Sequence, residues 1–230
     1  MTKLAHIPAM ALLGLATLAA PAIARDQQET ERVDRTVNLK AGGQLRLKNF
    51  SGHVTITGSK RSDVAVHAVR RAKRDRLDHI KLQITETASG VSIDANKKDS
   101  DWDERDNDVV ETDFDIQVPE DASLDIDVFS SDVKVTDVSG RQHLHAFSGD
   151  IEVAGAAGSI DAETFSGDIE VKLAAGAGGH VNFDSFSGSL HPDSGMTAST
   201  ASRRRITGEV GTGGANDYRF KTFSGDVRIK

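Results

Sequence analysis

The chain has 230 residues, with 28 Lys or Arg against 35 Asp or Glu, and its net charge of −7 argues against a nucleic-acid partner. It contains no Cys, which excludes both disulfides and a lipid-modified cysteine. The 21 Gly and the aromatic content of 5% favour short strands and tight turns over a helical bundle.

The N-terminus has the features of a secretory signal peptide over residues 1–24. Lys3 provides a positive start, an apolar stretch follows, and Ala22 to Ala24 form a small-residue cleavage site. The apolar stretch is shorter than the roughly 20 residues that a membrane helix needs. We therefore expect an exported chain with a flexible leader over residues 25–32 and no transmembrane segment in the mature part. An uncleaved anchor is the alternative interpretation.

The remainder, residues 33–230, is predicted to be a single domain whose irregular part covers residues 33–118. Alternating apolar residues predict four strands in this part. They lie around Val64 to Ala68, Leu82 to Ile84, Val91 to Ile93 and Phe114 to Val118. The basic segment Arg70 to His79 is predicted to be a short helix or a loop. We expect this part to continue into the repeats and to cover their first open end.

An acidic segment lies within the irregular part. Asp99, Asp101 and Asp103 alternate along the chain, as in the first half of a calcium-binding loop. Glu104 occupies the position where such a loop requires Gly. The segment is therefore interpreted as a solvated acidic loop, with weak Ca²⁺ binding as the alternative.

The regular part, residues 119–230, contains repeats of the tripeptide Phe-Ser-Gly or a near copy of it. Its phenylalanines, with one copy in the irregular part, are Phe50, Phe129, Phe147, Phe165, Phe186 and Phe223. From the second copy onward the intervals are 18, 18, 21 and 37 residues. The last interval is close to two units, and we interpret the segment around Ile206 as a decayed copy. A fixed interval of this length predicts a stack of similar units.

The unit from Ser159 to Val171 shows how one repeat is expected to fold. Apolar or small residues alternate with polar ones on both sides of the phenylalanine, which is typical of strands with one buried face. In this interpretation Thr164 and Phe165 both point inward, which requires a corner or bulge between them. Each repeat is therefore predicted to be two short strands that meet at a bend.

Stacked units would place the repeated phenylalanines in an interior ladder, interrupted by Ile206. Gly follows the phenylalanine by two positions, at Gly149, Gly167, Gly188 and Gly225. Either the corner leaves no room for a side chain or the backbone needs a positive φ there; Ser131 in one copy favours the lack of room. The predicted fold class is all-β: a β-solenoid-like stack of two-strand repeats of about 18 residues, with an irregular β-rich N-terminal part.

The sequence ends within a predicted strand, Val227 to Lys230. Arg228 and Lys230 would occupy its outward positions, and such charges discourage pairing with another molecule. We therefore interpret this strand as a blunted edge of the stack. A docking surface for a partner strand is the alternative.

Acidic residues follow the corner at a fixed place, at Asp132, Asp150, Asp168 and Asp226. In-register stacking would bring these carboxylates within a few ångströms of each other, and like charges so placed repel unless water or a cation separates them. The favoured interpretation is that each Asp caps its own turn. A Ca²⁺-binding row is the alternative.

The unit Phe-Ser-Gly-Asp-Ile-x-Val, clearest at Phe147 to Val153 and Phe165 to Val171, resembles the bacterial putative-adhesin family of β-strand-repeat domains of unknown function. The similarity covers roughly residues 33–230. It implies a β-solenoid-like domain in the cell envelope and brings no catalytic residues. The chain departs from the pattern at Arg203 to Arg205, where the inward frame requires small or apolar residues.

No nucleophile, phosphate-loop or zinc motif occurs in the sequence, so neither a cofactor nor a catalytic residue is predicted. We expect a non-enzymatic exported binding scaffold or adhesin of the periplasm or cell surface. Its partner would be a surface glycan or an envelope protein that contacts outer acids such as Glu152 and Glu170. A glycan-cleaving enzyme with its site between Arg70 and Asp115, or a periplasmic envelope-stress or signalling component, are the alternatives.

Overall fold

A computed structural model describes residues 28–99, 109–193, 195–202, 204–211 and 214–230. These ranges contain seventeen strands and one short helix. They are β1 (Glu29–Asn38), β2 (Gln44–Ser59), β3 (Asp63–Ala72), α1 (Arg74–His79), β4 (Ile80–Glu86), β5 (Gly90–Lys98), β6 (Glu111–Pro119), β7 (Ser123–Thr136), β8 (Gln142–Ser148), β9 (Ile151–Ala156), β10 (Ile160–Ser166), β11 (Ile169–Leu173), β12 (Gly179–Ser187), β13 (Leu190–Pro192), β14 (Met196–Ala201), β15 (Arg205–Val210), β16 (Asn216–Ser224) and β17 (Val227–Ile229).

The strands form two stacks that share a corner, because each repeat unit contributes one strand to each stack. In the first stack β7, β8, β10, β16 and β12 lie side by side in parallel. In the second stack the order is β7, β9, β11, β17 and β13. The long strands β2 and β7 pass through the corner and belong to both stacks. The predicted β-solenoid-like architecture is confirmed.

Neighbouring units are in register, so equivalent residues of successive repeats pair with one another. Ala162 of β10 pairs with Leu144 of β8 on one side and with Phe220 of β16 on the other. In the second stack Ile169 pairs with Ile151 and Val227. Along the paired repeat strands, alternate residues therefore form buried columns and outward-facing columns.

The N-terminal part extends both stacks beyond β2. Parallel β5 and β6 pair with the first and second halves of β2. Antiparallel β4 then pairs with β5, and β3 followed by β1 covers β6. β1 begins at Glu29, before the expected start of the domain at residue 33. The four strands predicted here are present, and α1 occupies part of the segment predicted to be a helix or a loop.

The C-terminal part differs from the prediction in two respects. β17 lies between β11 and β13, so Arg228 and Lys230 are not on an edge strand, and both the blunted-edge and the partner-strand interpretations are wrong. The segment around Ile206 is not a decayed repeat either. It forms β15, which runs antiparallel to β12 and β14. The last repeat thus returns past this hairpin and inserts between two earlier ones.

The core consists of inward columns from both stacks. Leu, Ile and Val dominate it, and near the C-terminus it includes the large side chains of Phe183, Phe220 and Tyr218, each at most 1% exposed. Desolvation by burial raises the pKa of Tyr218, although Asn216 donates a hydrogen bond to its hydroxyl. Within the described ranges no helix is long and apolar enough to cross a membrane.

Candidate functional site

The repeated phenylalanines form a continuous ladder along the corner of the stack. In spatial order it runs Phe50, Phe129, Phe147, Phe165, Phe223 and Phe186. Adjacent ring centroids are 4.6 to 4.9 Å apart, and the ring planes differ by at most 18°. The spacing follows from the distance between parallel strands, so the register of the backbone places one ring above the next.

The ladder lies on the outside of the molecule, and the predicted interior position is wrong. Its six rings are 39% to 56% exposed. Thr164 is buried at the end of its strand, and Phe165 simply continues the alternation to the outer face. The change of parity takes place after the phenylalanine, where Ser166, Gly167 and Asp168 form the corner. The inward column beside the ladder is built instead from Asn49, Val128, Ala146, Thr164, Thr222 and Ser185.

Three of the corner glycines are required for two reasons at once. Gly149, Gly167 and Gly225 have φ values of 150°, 151° and 147°. A Cβ on Gly167 would also lie 2.2 Å from the carbonyl oxygen of Gly149 in the preceding repeat. Ser131, in the continuous strand β7, replaces glycine without a positive φ. Close stacking at the corner and the backbone conformation therefore both select glycine.

The row of acids after the corner bonds to the neighbouring repeat, not to its own turn. The backbone N–H of Asp150 donates to Asp132 Oδ1 at 3.0 Å, and that of Asp168 donates to Asp150 Oδ1 at 2.8 Å. Asp226 continues the series to Asp168 at 2.8 Å, and Ser189 donates to Asp226 at 2.9 Å. Each carboxylate thus caps the corner of the adjacent unit, and one of its oxygens is occupied by an amide.

The calcium candidates have no metal cluster around them in the part of the chain that the structure describes. Within those ranges no group of three or more His, Asp or Glu side chains could hold a metal ion. Asp101 and Asp103 lie outside the described residues. Asp99 follows β5, where its backbone N–H donates to the carbonyl of His79 at 3.0 Å.

The outer acids that were expected to contact a partner are paired across the repeats. Glu152 accepts hydrogen bonds from Lys134 Nζ at 2.9 and 3.0 Å, and Glu170 accepts one from Lys230 at 2.6 Å. Lys221 is 2.7 Å from Glu163. The pKa of Glu170 lies below its ordinary value, chiefly because of the hydrogen bond from Lys230. These surface ion pairs between repeats each stabilise the stack by a small amount. Because the outer acids are paired, the phenylalanine ladder is the distinctive exposed surface.

A shallow groove lies beside the C-terminal half of the ladder. It has a volume of about 390 Å³, and its lining includes Phe165, Phe223 and Phe186 together with charged residues such as Glu163 and Lys221. The guanidinium of Arg204 lies over the Phe186 ring, 4.7 Å from its centroid. The sequence identified Arg203 to Arg205 only as a departure from the repeat. In the structure one of them, Arg204, is exposed beside the ladder and makes this cation–π contact.

A protein-family comparison agrees with this architecture. The model of the Toastrack DUF4097 family matches residues 44–230. The chain belongs to the Toastrack DUF4097 family. No curated protein matches it. The match begins at the start of β2, so it includes both stacks and the whole phenylalanine ladder.

Solved structures of bacterial proteins are similar to this chain, and the first of them shares its fold. A putative cell adhesion protein from Clostridium sporogenes is 10% identical, with a TM-score of 0.66 over 89% of this chain and 99% of the other. A putative adhesin from Bacteroides fragilis is 13% identical, with a TM-score of 0.29 over 87% and 97%. One from Parabacteroides distasonis is 7% identical, with a TM-score of 0.30 over 86% and 97%. The first of these similarities extends to the fold alone.

The segment from Arg70 to Asp115, where the alternative interpretation placed a catalytic site, contains an ion-pair cluster in this Toastrack chain. Arg71 Nη1 contacts Glu111 at 3.1 Å and Asp113 at 2.5 Å, and His53 Nδ1 is 3.2 Å from Asp113. Burial works to raise the pKa of Asp113, but hydrogen bonds from Arg71 and His53 outweigh it and hold the pKa below its ordinary value. A general acid needs the opposite shift, so the cluster has the character of a structural ion pair.

Replacing Asp113 with Asn is expected to reduce the loss of stability in acid. Because the folded-state pKa is lowered, the unfolded chain binds a proton first as the pH falls below about 4, and the free energy of unfolding decreases down to the folded-state pKa. Asp113→Asn removes this contribution, so the variant is less stable at neutral pH but loses less below about pH 4. Urea unfolding between about pH 2.5 and 7 measures how the free energy of unfolding of the variant and of the original chain changes with pH. Asp115→Asn, on the exposed face of the same strand, is the control, and an equal loss of stability in acid in the two variants would contradict the assignment.

Proposed function

We propose that this Toastrack protein is a non-enzymatic, exported binding scaffold of the cell envelope with an adhesin-like role. The observation that carries the proposal is the in-register stack, which repeats the same outer side chains along the corner and presents six stacked aromatic rings to solvent. A surface of this kind is rigid before it meets a partner, so little conformational entropy is lost on binding. The fold shared with the putative cell adhesion protein from Clostridium sporogenes supports the same role.

Binding to the envelope can be tested with the mature chain. Fluorescently labelled protein that begins at Arg25 is incubated with envelope fragments of the source cells, before and after treatment of the fragments with protease or with periodate. Retention that protease abolishes indicates a protein partner, and retention that periodate abolishes indicates a glycan. No retention on untreated fragments would contradict the proposal. Release of soluble sugar from purified envelope polysaccharide would favour the glycan-cleaving alternative instead.

The export part of the proposal leads to a separate prediction. The signal-like segment lies outside the described residues and is supported by its sequence features alone. If it is cleaved, the envelope fraction contains a protein whose first residue is Arg25, as measured by intact mass and N-terminal sequencing. An Ala22→Lys, Ala24→Lys double variant should accumulate as uncleaved precursor, because a signal cleavage site needs small residues there. A full-length chain in the cytoplasmic fraction would contradict the prediction.

A further inference from the structure

The phenylalanine ladder is an apolar strip of unusual regularity. Its six rings are the exposed large hydrophobic side chains of the described residues. Five steps of about 4.8 Å give the strip a length of roughly 24 Å. Contiguous exposed apolar surface of this kind marks interaction sites on soluble proteins.

The ladder presents ring edges, not ring faces. Each interior ring lies face to face with its neighbours, with interplanar angles of 1° to 7° from Phe129 to Phe186. At the far end Arg204 lies over Phe186. Sugars bind aromatic side chains by stacking their C–H groups on the electron-rich face, and both faces are covered in the five rings from Phe129 to Phe186. The strip therefore suits hydrocarbon side chains packed against ring edges better than it suits a glycan.

The border of the strip is acidic on one side. The Asp132, Asp150, Asp168 and Asp226 row follows the phenylalanines by three residues, which places it within about 11 Å of the ladder by chain length alone. The side chains of Asp132 and Asp168 are 59% and 51% exposed. The amides of the next repeats occupy one oxygen each. The basic groups near the row are Arg228, 3.8 Å from Asp168, and the imidazoles of His53 and His191, which lie 3.8 Å from Asp132 and 3.6 Å from Asp226. Four like charges in a column are favourably neutralised by cations that a partner supplies.

The occupant must provide its own backbone hydrogen bonds. The strands that carry Phe129, Phe147, Phe165 and Phe223 are paired on both sides within the stack, so no free backbone edge lies under these four rings to accept a partner strand. A helix satisfies its backbone internally and binds through side chains. At 1.5 Å per residue, about 16 helical residues match the length of the strip.

We propose that the ladder is the docking site for an amphipathic α-helix of a protein partner, with an apolar face on the phenylalanines and a row of Lys or Arg along the aspartates. The proposal rests on the envelope-binding function proposed above and names the partner class. A second copy of this chain is disfavoured because its net charge of −7 and its own aspartate row would meet the same acids. An anionic polysaccharide or an anionic lipid surface is disfavoured for the same reason.

The experiment uses two defined peptides, so it is independent of retention on the envelope. One is an 18-residue helix-forming peptide with Leu at i, i+3, i+4 and i+7 spacing and a row of Lys on one flank, and the other has Glu in place of each Lys. Fluorescence anisotropy measures binding of each labelled peptide to the mature chain. The proposal requires at least about tenfold tighter binding of the lysine peptide at low salt, with the difference reduced as salt screens the charges.

Two double variants locate the binding. Phe147→Ser with Phe165→Ser removes part of the apolar strip, and Asp150→Asn with Asp168→Asn removes charge while the amide oxygens still accept the neighbouring N–H groups. Each is expected to weaken binding of the lysine peptide by at least about tenfold. The control is Asp115→Asn with Glu120→Gln, which removes two exposed charges elsewhere and should change binding less than about twofold. Circular dichroism and thermal unfolding establish that each variant is folded.

Several outcomes would overturn the proposal. They are equal binding of both peptides, no measurable binding of the lysine peptide, or an effect of the aspartate variant no larger than that of the control. Concentration-dependent dimers in sedimentation that the phenylalanine variant dissociates would assign the strip to a second copy. Polysaccharide binding that the phenylalanine variant abolishes would assign it to a glycan. Retention on the envelope could persist in each case, so failure here is distinguishable from failure of the proposed function.

Discussion

Phe220→Ala is expected to lower the free energy of unfolding by about 3 to 5 kcal/mol, which is the range for removing a buried aromatic side chain. Phe220 is 1% exposed, in a strand that lies between β10 and β12. Its neighbours across the rungs are Ala162 and Phe183. Because the backbone is paired on both sides, it cannot move inward to fill the cavity that the substitution leaves. Chemical denaturation monitored by circular dichroism measures the change.

Phe165→Ala provides the matched control for that substitution. It removes the same group from the adjacent strand, but the ring is 44% exposed on the ladder. We expect a loss of about 1 to 2 kcal/mol, from partial burial and ring stacking. Equal losses in the two variants would mean that the outer ladder contributes to the core as much as the inner column does, which would contradict the assignment of the core to the inner column.

The fold class follows from the sequence because repeat length and alternation are local properties. The alternation Ile160, Ala162, Thr164 and then Ile169, Val171 identifies the inward residues correctly. It does not determine where the parity changes within the corner. Phe165 is the largest apolar residue there, and hydrophobicity alone favours placing it inside. The observed corner needs three residues and a positive φ at Gly167, so the change comes after the phenylalanine.

The order of the strands could not be derived from the sequence, because alternation specifies faces and not neighbours. The 37-residue interval is consistent with two units in succession, yet its second half returns between two earlier repeats. Side-chain size does not reveal this order either, because Phe220 lies between the small Ala162 and the equally large Phe183.

The candidate site was predictable in its members and not in its geometry. The repeated phenylalanines and the aspartate row are visible in the sequence, but their exposure and the bonds between repeats depend on the register of the stack. Asp150 bonds to the N–H of Asp168 in the next unit, 18 residues away. A turn-capping interpretation considers only local partners and therefore misses it.

Gly167→Ala is expected to destabilise the fold by at least about 3 kcal/mol, since backbone strain and a steric clash coincide. The residue has φ 151°, and the new Cβ would lie 2.2 Å from the carbonyl oxygen and 2.7 Å from the carbonyl carbon of Gly149. Neither atom can yield without moving a neighbouring repeat. Gly195→Ala is the control, because no atom lies within 4 Å of the place that its methyl group would take and no positive φ occurs there. We expect it to change stability by less than about 0.5 kcal/mol, measured by urea unfolding.

Two other glycines separate the clash from the conformational requirement. At Gly188 a Cβ would lie 2.0 Å from the carbonyl oxygen of Gly225, without a left-handed φ, whereas Gly176 has φ 80° and no atom within 4 Å. If close stacking dominates, Gly188→Ala costs clearly more than the roughly 1 to 2 kcal/mol expected for Gly176→Ala from strain alone. Equal losses of stability in these two variants would show that the backbone conformation, and not close stacking, requires glycine. The carbonyl beneath each corner belongs to another repeat. A larger loss for Gly188→Ala would therefore also mean that the neighbouring unit requires glycine at each corner. That requirement explains why the tripeptide recurs in step with the stack.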